Sequence, residues 1–413
     1  MIYNIIIALC IFEYAYGIMC KVLNHRSSKW AIPDVLKGLY DEEQYHRQQA
    51  YSRDKSQLAI IDSTVGTAIS LWVFASGGFA VIDGWARGIT DSAVLQALLF
   101  FGVMFLISWI PGQPLDAYAT FGIEQRYGFN RSTVKTYLLD LVKNIVMTCL
   151  LVGGILALLV WLYGLMGDWF WLSAWVAVTS ITLFMQFFYS DLIVPLFNKQ
   201  TPLPDGELRT AIEAFAARVN FKLGNIYIID GSKRSAHANA YFTGYGSRKR
   251  VVLYDTLMEQ LTTDEIVGVL AHEIGHYKHG HIVKSMVVSL LSTGLMFWLF
   301  GLVIDNNAIA EAAGCSTASF HVNLMVFSML LTPFYLIIDT LTNIWSRHNE
   351  RQADDFARQH GQGEHVASAL MKMSAKSLSN LTPHPVVVFL EHSHPTLLQR
   401  VVSLSVPVVE DKE

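Results

Sequence analysis

Two histidines four residues apart, with a glutamate beside the first, are the most reactive pattern in this 413-residue chain: Val269-Leu270-Ala271-His272-Glu273-Ile274-Gly275-His276. On an α-helix, positions four apart differ by about 40° around the axis, so His272 and His276 share a face and can aim ring nitrogens at one cation. Glu273 lies on the adjoining side, within reach of a cation-held water without being a ligand. That division of labour is the zinc-peptidase signature, two histidine ligands and a general base. A tetrahedral catalytic site also needs a third protein ligand and one open position. The extended form of the motif requires a glycine and a histidine where this chain has His279 and Ile282, which excludes it. The best third ligand is Glu350, in Ser346-Arg347-His348-Asn349-Glu350-Arg351-Gln352-Ala353-Asp354. One turn further on, Asp354 is suited to accept the spare N–H of a liganding histidine. His348 is a rival ligand that faces away from Glu350. His279 reads as a solvated residue just before a membrane helix, and His281 as solvated or as a residue that shapes the site. The four cysteines (Cys10, Cys20, Cys149 and Cys315) show no close pairing, so neither a disulfide framework nor a cysteine metal site is expected.

These groups must be carried by a chain that is unusually apolar. Apolar residues make up 52% and charged residues 15%, against roughly 25% charged in soluble domains; the mean hydropathy is +0.35. A net charge of −4 without a long basic run excludes nucleic acid as a partner. Crossing about 30 Å of hydrocarbon takes roughly 20 apolar residues of helix. Seven stretches qualify: Ile2–Met19, Thr64–Ile82, Ala93–Ile110, Ile145–Met166, Trp169–Tyr189, Ser285–Ile304 and Val322–Ile344. The first lacks a basic start and a small-residue cleavage site, and reads as a retained membrane helix rather than a signal peptide. Gly77-Gly78 and Gly153-Gly154 suit close helix packing in lipid. Lys21–Leu58 carries seven Lys/Arg and Pro111–Asn144 four, whereas Asp305–His321 carries none. The positive-inside rule therefore puts the N-terminus outside and the C-terminus in the cytoplasm.

The expected fold is mostly α: a seven-transmembrane helical bundle enclosing a cavity, with a small cytoplasmic α+β zinc-metalloprotease domain. Residues 1–190 hold five transmembrane helices, 191–284 the H-E-x-x-H part, 285–344 helices six and seven, and 345–413 the third zinc ligand. Within 191–284, Pro204–Val219 has helical spacing with Asp205 as its cap. Strands follow at Asn225–Ile229, near Asn239–Thr243 and at Arg250–Tyr254, with turns at Gly231–Arg234 and Gly244–Arg248. A helix capped at Thr262 or Thr263, with Glu265 as its early acid, then runs to His281.

At this point the sequence resembles the type 1 CAAX prenyl endopeptidases, seven-span intramembrane zinc proteases. The resemblance rests on Lys233-Arg234-Ser235-Ala236-His237-Ala238-Asn239-Ala240-Tyr241-Phe242, the H-E-I-G-H helix, Glu350 through Asp354, and Ser393-His394-Pro395 with Arg400. It extends to Glu124-Gln125-Arg126-Tyr127-Gly128-Phe129-Asn130 and Pro195-Leu196-Phe197-Asn198. One departure is Ala238, where the family pattern has serine. The resemblance implies that Asn239 and Tyr241 line the cleft, with Asn239 holding the substrate backbone. It implies that His394 stabilises the oxyanion, and that Arg400 braces nearby elements or binds substrate. It also implies one Zn²⁺ per chain and cleavage of C-terminal C-a-a-X residues from prenylated proteins or related membrane-associated peptides. The setting is the bilayer of a bacterial inner membrane or, in a eukaryote, of the endoplasmic reticulum. Two other readings compete. A quality-control metalloprotease without prenyl preference shares every catalytic residue. A zinc transporter or sensor needs the histidines but neither Glu273 nor a strand edge beside the metal.

Overall fold

The computed structural model describes residues 1–243 and 250–405; the turn expected at Gly244–Arg248 lies outside them. The helices in chain order are α1 Ile2–Ser27, α2 Glu42–Ala75, α3 Gly78–Ile89, α4 Ala93–Ala117, α5 Val134–Met166, α6 Phe170–Leu192, α7 Val194–Phe197, α8 Glu207–Arg218 and α9 Asp255–Gln260. They continue as α10 Thr263–Lys278, α11 His281–Gly301, α12 Asn307–Ala312, α13 Phe320–Leu330, α14 Thr332–Gln359, α15 Gly363–Lys376, α16 Pro385–Glu391 and α17 Leu397–Leu404. Four strands, β1 Gln200–Pro202, β2 Asn225–Ile229, β3 Ala240–Thr243 and β4 Arg250–Tyr254, form one sheet in the order β1-β2-β4-β3. β2 and β4 run parallel, and β3 is an edge strand antiparallel to β4.

Five helical stretches are long and apolar enough to cross a membrane: Ile2–Ser27, Glu42–Ala75, Ala93–Glu124, Val134–Phe197 and His281–Gly301. A sixth is the pair α13 and α14, bent by 55° at their junction. Apolar side chains along these helices face outward, as with Leu150 at 66% and Val152 at 61% exposure. No aqueous fold leaves such a surface bare, and the chain is a multi-pass membrane protein. Several boundaries differ from the sequence reading. The stretch Thr64–Ile82 is not one span: α2 ends at Ala75 and the chain reverses at Gly77, whose φ is +74°. Gly77 thus serves a turn rather than helix packing. Beyond Ile110, α4 continues through Pro111 and Pro114 and then as a π-helical segment, Tyr118–Glu124. α8 starts at Glu207 with Gly206 at the N-cap position and no side-chain cap, and the exposed Asp205 lies 3.5 Å from Arg209.

The hydrophilic elements share one core. Ile212 and Phe215 of α8, Ile226 and Val251 of the sheet, Leu270 and Ile274 of α10, and Ala357 and Leu404 further on are all buried together. Tyr40 from the loop before α2, Tyr51 of α2 and Phe129 join them. Two glycines on one face of α10 permit its closest contacts. A Cβ on Gly275 would stand 2.9 Å from the backbone of Ala353, and one on Gly268 would stand 3.0 Å from Val366 N. α14 and α15 therefore lie directly on the motif helix.

Candidate metal centre

The motif helix starts where its chemistry demands. Thr262 and Glu265 form a capping box: Glu265 N donates to Thr262 Oγ1 and Thr262 N donates to the Glu265 carboxylate. Glu265 is buried and also meets Lys372 and Ser368, both at 2.6 Å. Burial alone would raise its pKa, but Lys372, Ser368 and the Thr262 amide hold it down at about 2. The helix ends at Lys278, three residues earlier than its apolar pattern suggests. Gly280, with φ +67°, breaks it and begins α11. That break turns His281 back onto the motif, which a continuous helix could not do.

α14 then brings Glu350 onto the histidine pair. His272 Nε2 lies 3.2 Å from His276 Nε2 and 3.4 Å from Glu350 Oε2, and His276 Nε2 lies 3.2 Å from Glu350 Oε1. Ligands held 2.0–2.1 Å from a tetrahedral centre sit about 3.3–3.4 Å apart. The contacts among the three side chains are close to that spacing, and one ligand atom from each lies within 4.8 Å of the others. Glu350 Oε2 is buried without a hydrogen-bond partner among the described residues, which a cation would satisfy. Burial disfavours charge on His272, yet Asp354 and Glu350 outweigh it and push its pKa up to about 9. The carboxylates attract positive charge to the point where the ligand atoms converge, and the residues present fit a metal ion.

Each histidine is held in the tautomer that leaves Nε2 free. Asp354 Oδ1 lies 2.8 Å from His272 Nδ1 and accepts its proton. On the other ring, His276 Nδ1 is 3.0 Å from His281 Nδ1, while His281 Nε2 is 2.8 Å from Gln352 Oε1. His281 therefore donates from Nε2 to the Gln352 carbonyl and accepts at Nδ1 from His276. Nothing in the linear pattern singled out Gln352, although it sits two residues after Glu350. His281 is buried, whereas His279 and His348 are exposed and lie outside the cluster.

The remaining residues of the sequence reading arrive from three directions. Glu273 lines a cavity of about 570 Å³ together with the three ligand side chains, His394, Arg400, and Asn239 and Tyr241 of the β3 segment. His394 Nε2 is 3.3 Å from Glu350 Oε1, and Ser393 Oγ is 2.9 Å from its other nitrogen. The loop bearing His394 is tied down by Arg347, whose Nη1 donates to Val388 O at 2.9 Å and to His392 O. Arg347 precedes Glu350 by one helical turn, so both ends of the site hang on α14. Arg400 grips Asp354 through two bonds, at 2.9 and 2.7 Å, and lies 3.5 Å from Glu350 Oε2. Its guanidinium is thereby turned toward the acidic side of the cluster.

A buried group that could hold a cation, with a further carboxylate and an open strand edge beside it, suits a metallopeptidase, and comparison with known proteins agrees. A family model described as Peptidase family M48 matches residues 202–408, and one described as CAAX prenyl protease N-terminal, five membrane helices, matches residues 22–199. The chain belongs to peptidase family M48. It is 34% identical over 403 residues to CAAX prenyl protease 1 of Saccharomyces cerevisiae, covering 91% of this chain and 89% of that one. To the CAAX prenyl protease 1 homolog of Oryza sativa subsp. japonica it is 32% identical over 410 residues, covering 97% and 96%. The crystal structure of S. mikatae Ste24p superposes with a TM-score of 0.92 at 32% identity, covering 98% of this chain and 99% of that one. This M48 member is thus a membrane metalloendopeptidase.

Proposed function

We propose that this peptidase binds one Zn²⁺ through His272, His276 and Glu350 and cleaves prenylated proteins near a C-terminal C-a-a-X sequence. The observation that carries the substrate reading is a run of cavities leading from the cradle into the bundle. The 570 Å³ metal cavity shares His276 and Ile282 with a second of about 450 Å³. The second shares Ser285, Ser289, Ser346 and Asn349 with a third of about 750 Å³. Val288, Phe297, Phe300 and Phe327 give this third cavity apolar walls between α11 and α13. A hydrocarbon tail can lie there while its peptide reaches the metal. Each buried CH₂ contributes about 0.8 kcal/mol, so two suffice for roughly a tenfold gain.

Bound zinc would supply a Lewis acid and bring the pKa of the attacking water from about 15.7 toward 7. Glu273 takes the proton of that water and delivers it to the leaving amine. His394 donates a hydrogen bond to the carbonyl oxygen as charge develops on it. Asn239 and Tyr241 receive the peptide by strand addition to β3. Asp354 and His281 hold the two ligand rings, and Arg400 holds Asp354.

The same reading gives seven spans. Val134–Phe197 is 64 residues long, about 96 Å as one helix, and it divides at Gly167–Trp169 into α5 and α6, each long enough to cross. Counting the bent pair α13–α14 as one makes seven. Residues 1–190 and 285–344 are then the membrane parts, and 191–284 with 345–413 the catalytic part, on the Lys/Arg-rich cytoplasmic side. An impermeant thiol reagent should fail to label Asp205→Cys in intact cells. Labelling from outside would reverse the topology. The substrate test compares a farnesylated C-a-a-X peptide with its unmodified twin: turnover of the lipidated peptide at least tenfold faster is expected. Equal rates would favour a quality-control protease with the same zinc chemistry.

A further inference from the structure

We infer that the cavity between β3 and helices α5 to α7 receives the free C-terminal carboxylate of the substrate, with Arg234 as its anchor; the inference rests on the peptide reading above. This cavity holds about 770 Å³ and shares Asn239, Tyr241 and Phe242 with the metal cavity. The two cavities therefore meet at β3. Direction follows from strand geometry. β3 is an edge, and a peptide adding to it in antiparallel sense runs against it, as β4 does on the other side. The peptide's C-terminal end then points toward Asn239, from which the chain leads back to Arg234.

The chemistry of Arg234 matches what would arrive. Its Nε and one amino nitrogen hold Asp140 at 2.6 and 2.9 Å, and that amino nitrogen also donates to Phe197 O at 2.9 Å. The other amino nitrogen, Nη1, is buried with no partner among the described residues, although Arg234 lines the cavity. A buried donor left unpaired is costly, and an acceptor brought to it by a ligand would relieve that cost. A carboxylate is the complement of a guanidinium edge. Asp140 takes one edge of the guanidinium, and Lys143 and Lys233 also act on that carboxylate. Asn239 adds a second donor: its Oδ1 accepts from Ala240 N at 2.9 Å, leaving the amide NH₂ group. Three extended residues span about 10 Å, and the volume suits a ligand of that size. Arg234 would then act as a ruler that sets cleavage three residues from the chain end.

The test uses the full-length, metal-loaded enzyme in lipid vesicles and one farnesylated C-a-a-X peptide in three forms: free acid, C-terminal amide, and acid lengthened by one glycine. The amide and the lengthened peptide should each show KM raised by about tenfold or more, with kcat little changed. Arg234→Gln, with its zinc content checked, should process acid and amide alike at the higher KM. Arg234→Lys should restore part of the preference for acid. Equal KM for acid and amide in the wild type overturns the inference, as does full acid preference in Arg234→Gln. Should Arg234→Gln not fold, the three peptides on the wild type still decide. Cleavage of all three at one KM removes the carboxylate subsite alone, whereas no cleavage of any removes the prenyl-peptide reading and this inference with it.

Discussion

Among the described residues, two buried histidine–aspartate pairs are each joined by an arginine through nearly the same contacts, and one of them lies in a group that could hold a metal ion. In the first, His272 Nδ1 meets Asp354 at 2.8 Å and Arg400 Nε holds the other carboxylate oxygen at 2.9 Å. In the second, His321 Nε2 meets Asp83 at 2.7 Å and Arg87 Nε holds its other oxygen at 2.9 Å. The difference is what surrounds the ring. His272 has His276 and Glu350 beside its free nitrogen, whereas His321 has the Phe100 ring 4.9 Å from its own and Ser319 Oγ at 3.4 Å. Among the described residues, His272, His276 and Glu350 form the one group placed to hold a metal ion. A histidine–carboxylate pair by itself is a structural tie. It becomes part of a catalytic centre only when a second helix delivers further ligands to the same point.

Glu350→Ala tests that contrast most severely. It should abolish zinc retention and reduce cleavage to background, while the equivalent loss at the other group, His321→Ala, leaves both intact; metal analysis and a peptide assay read the two. Full zinc occupancy in Glu350→Ala would remove this residue from the site. Glu273→Ala should keep the metal yet lower kcat by about 10²–10⁴. Turnover at the wild-type rate in that variant would leave the peptidase without its proposed base.

Smaller effects sharpen the comparison. Asp354→Ala and His281→Ala each free one ligand ring, and metal affinity in a chelator competition should fall by about 10–100-fold. His281→Ala matching wild type would show that the contact to His276 is incidental. His321→Ala leaves Asp83 buried with Arg87 alone, for a loss of about 1–3 kcal/mol. That should appear as a lower melting temperature at unchanged kcat/KM. Glu265 gives the mildest signal. Its folded pKa of about 2 lies below the ordinary 4.5, so its stabilisation is complete above about 4.5 and is lost as pH falls toward 2. Glu265→Gln should therefore flatten the drop in melting temperature between pH 5 and 3, and an unchanged slope would contradict it.

What could be read from the chain in advance was set by periodicity. Spacing of four puts His272 and His276 on one helical face in any fold, and Thr262 with Glu265 announces the helix start, because both depend only on local backbone geometry. Strands β2 and β4 were legible for the same reason, as were the apolar stretches that cross the bundle. Boundaries failed where local pattern and tertiary contact disagree. α10 stops at Lys278 because Gly280 redirects the chain, and α2 stops at Ala75 because Gly77 does. Glu350 was nameable as a candidate only, since 74 residues separate it from His276. The structure decided its place through Gly275, whose missing side chain lets α14 rest on α10. Arg347, Gln352 and the unpaired nitrogen of Arg234 lay wholly beyond the sequence, and of the two readings His281 allowed, its contact to His276 favours the one in which it shapes the site. Each matters through a partner distant along the chain, and such partners are specified by packing rather than by any repeat. The sequence by itself determined which atoms could do chemistry; the tertiary structure determined which of them meet, because bringing them within 3.4 Å takes the burial of several helices against one another.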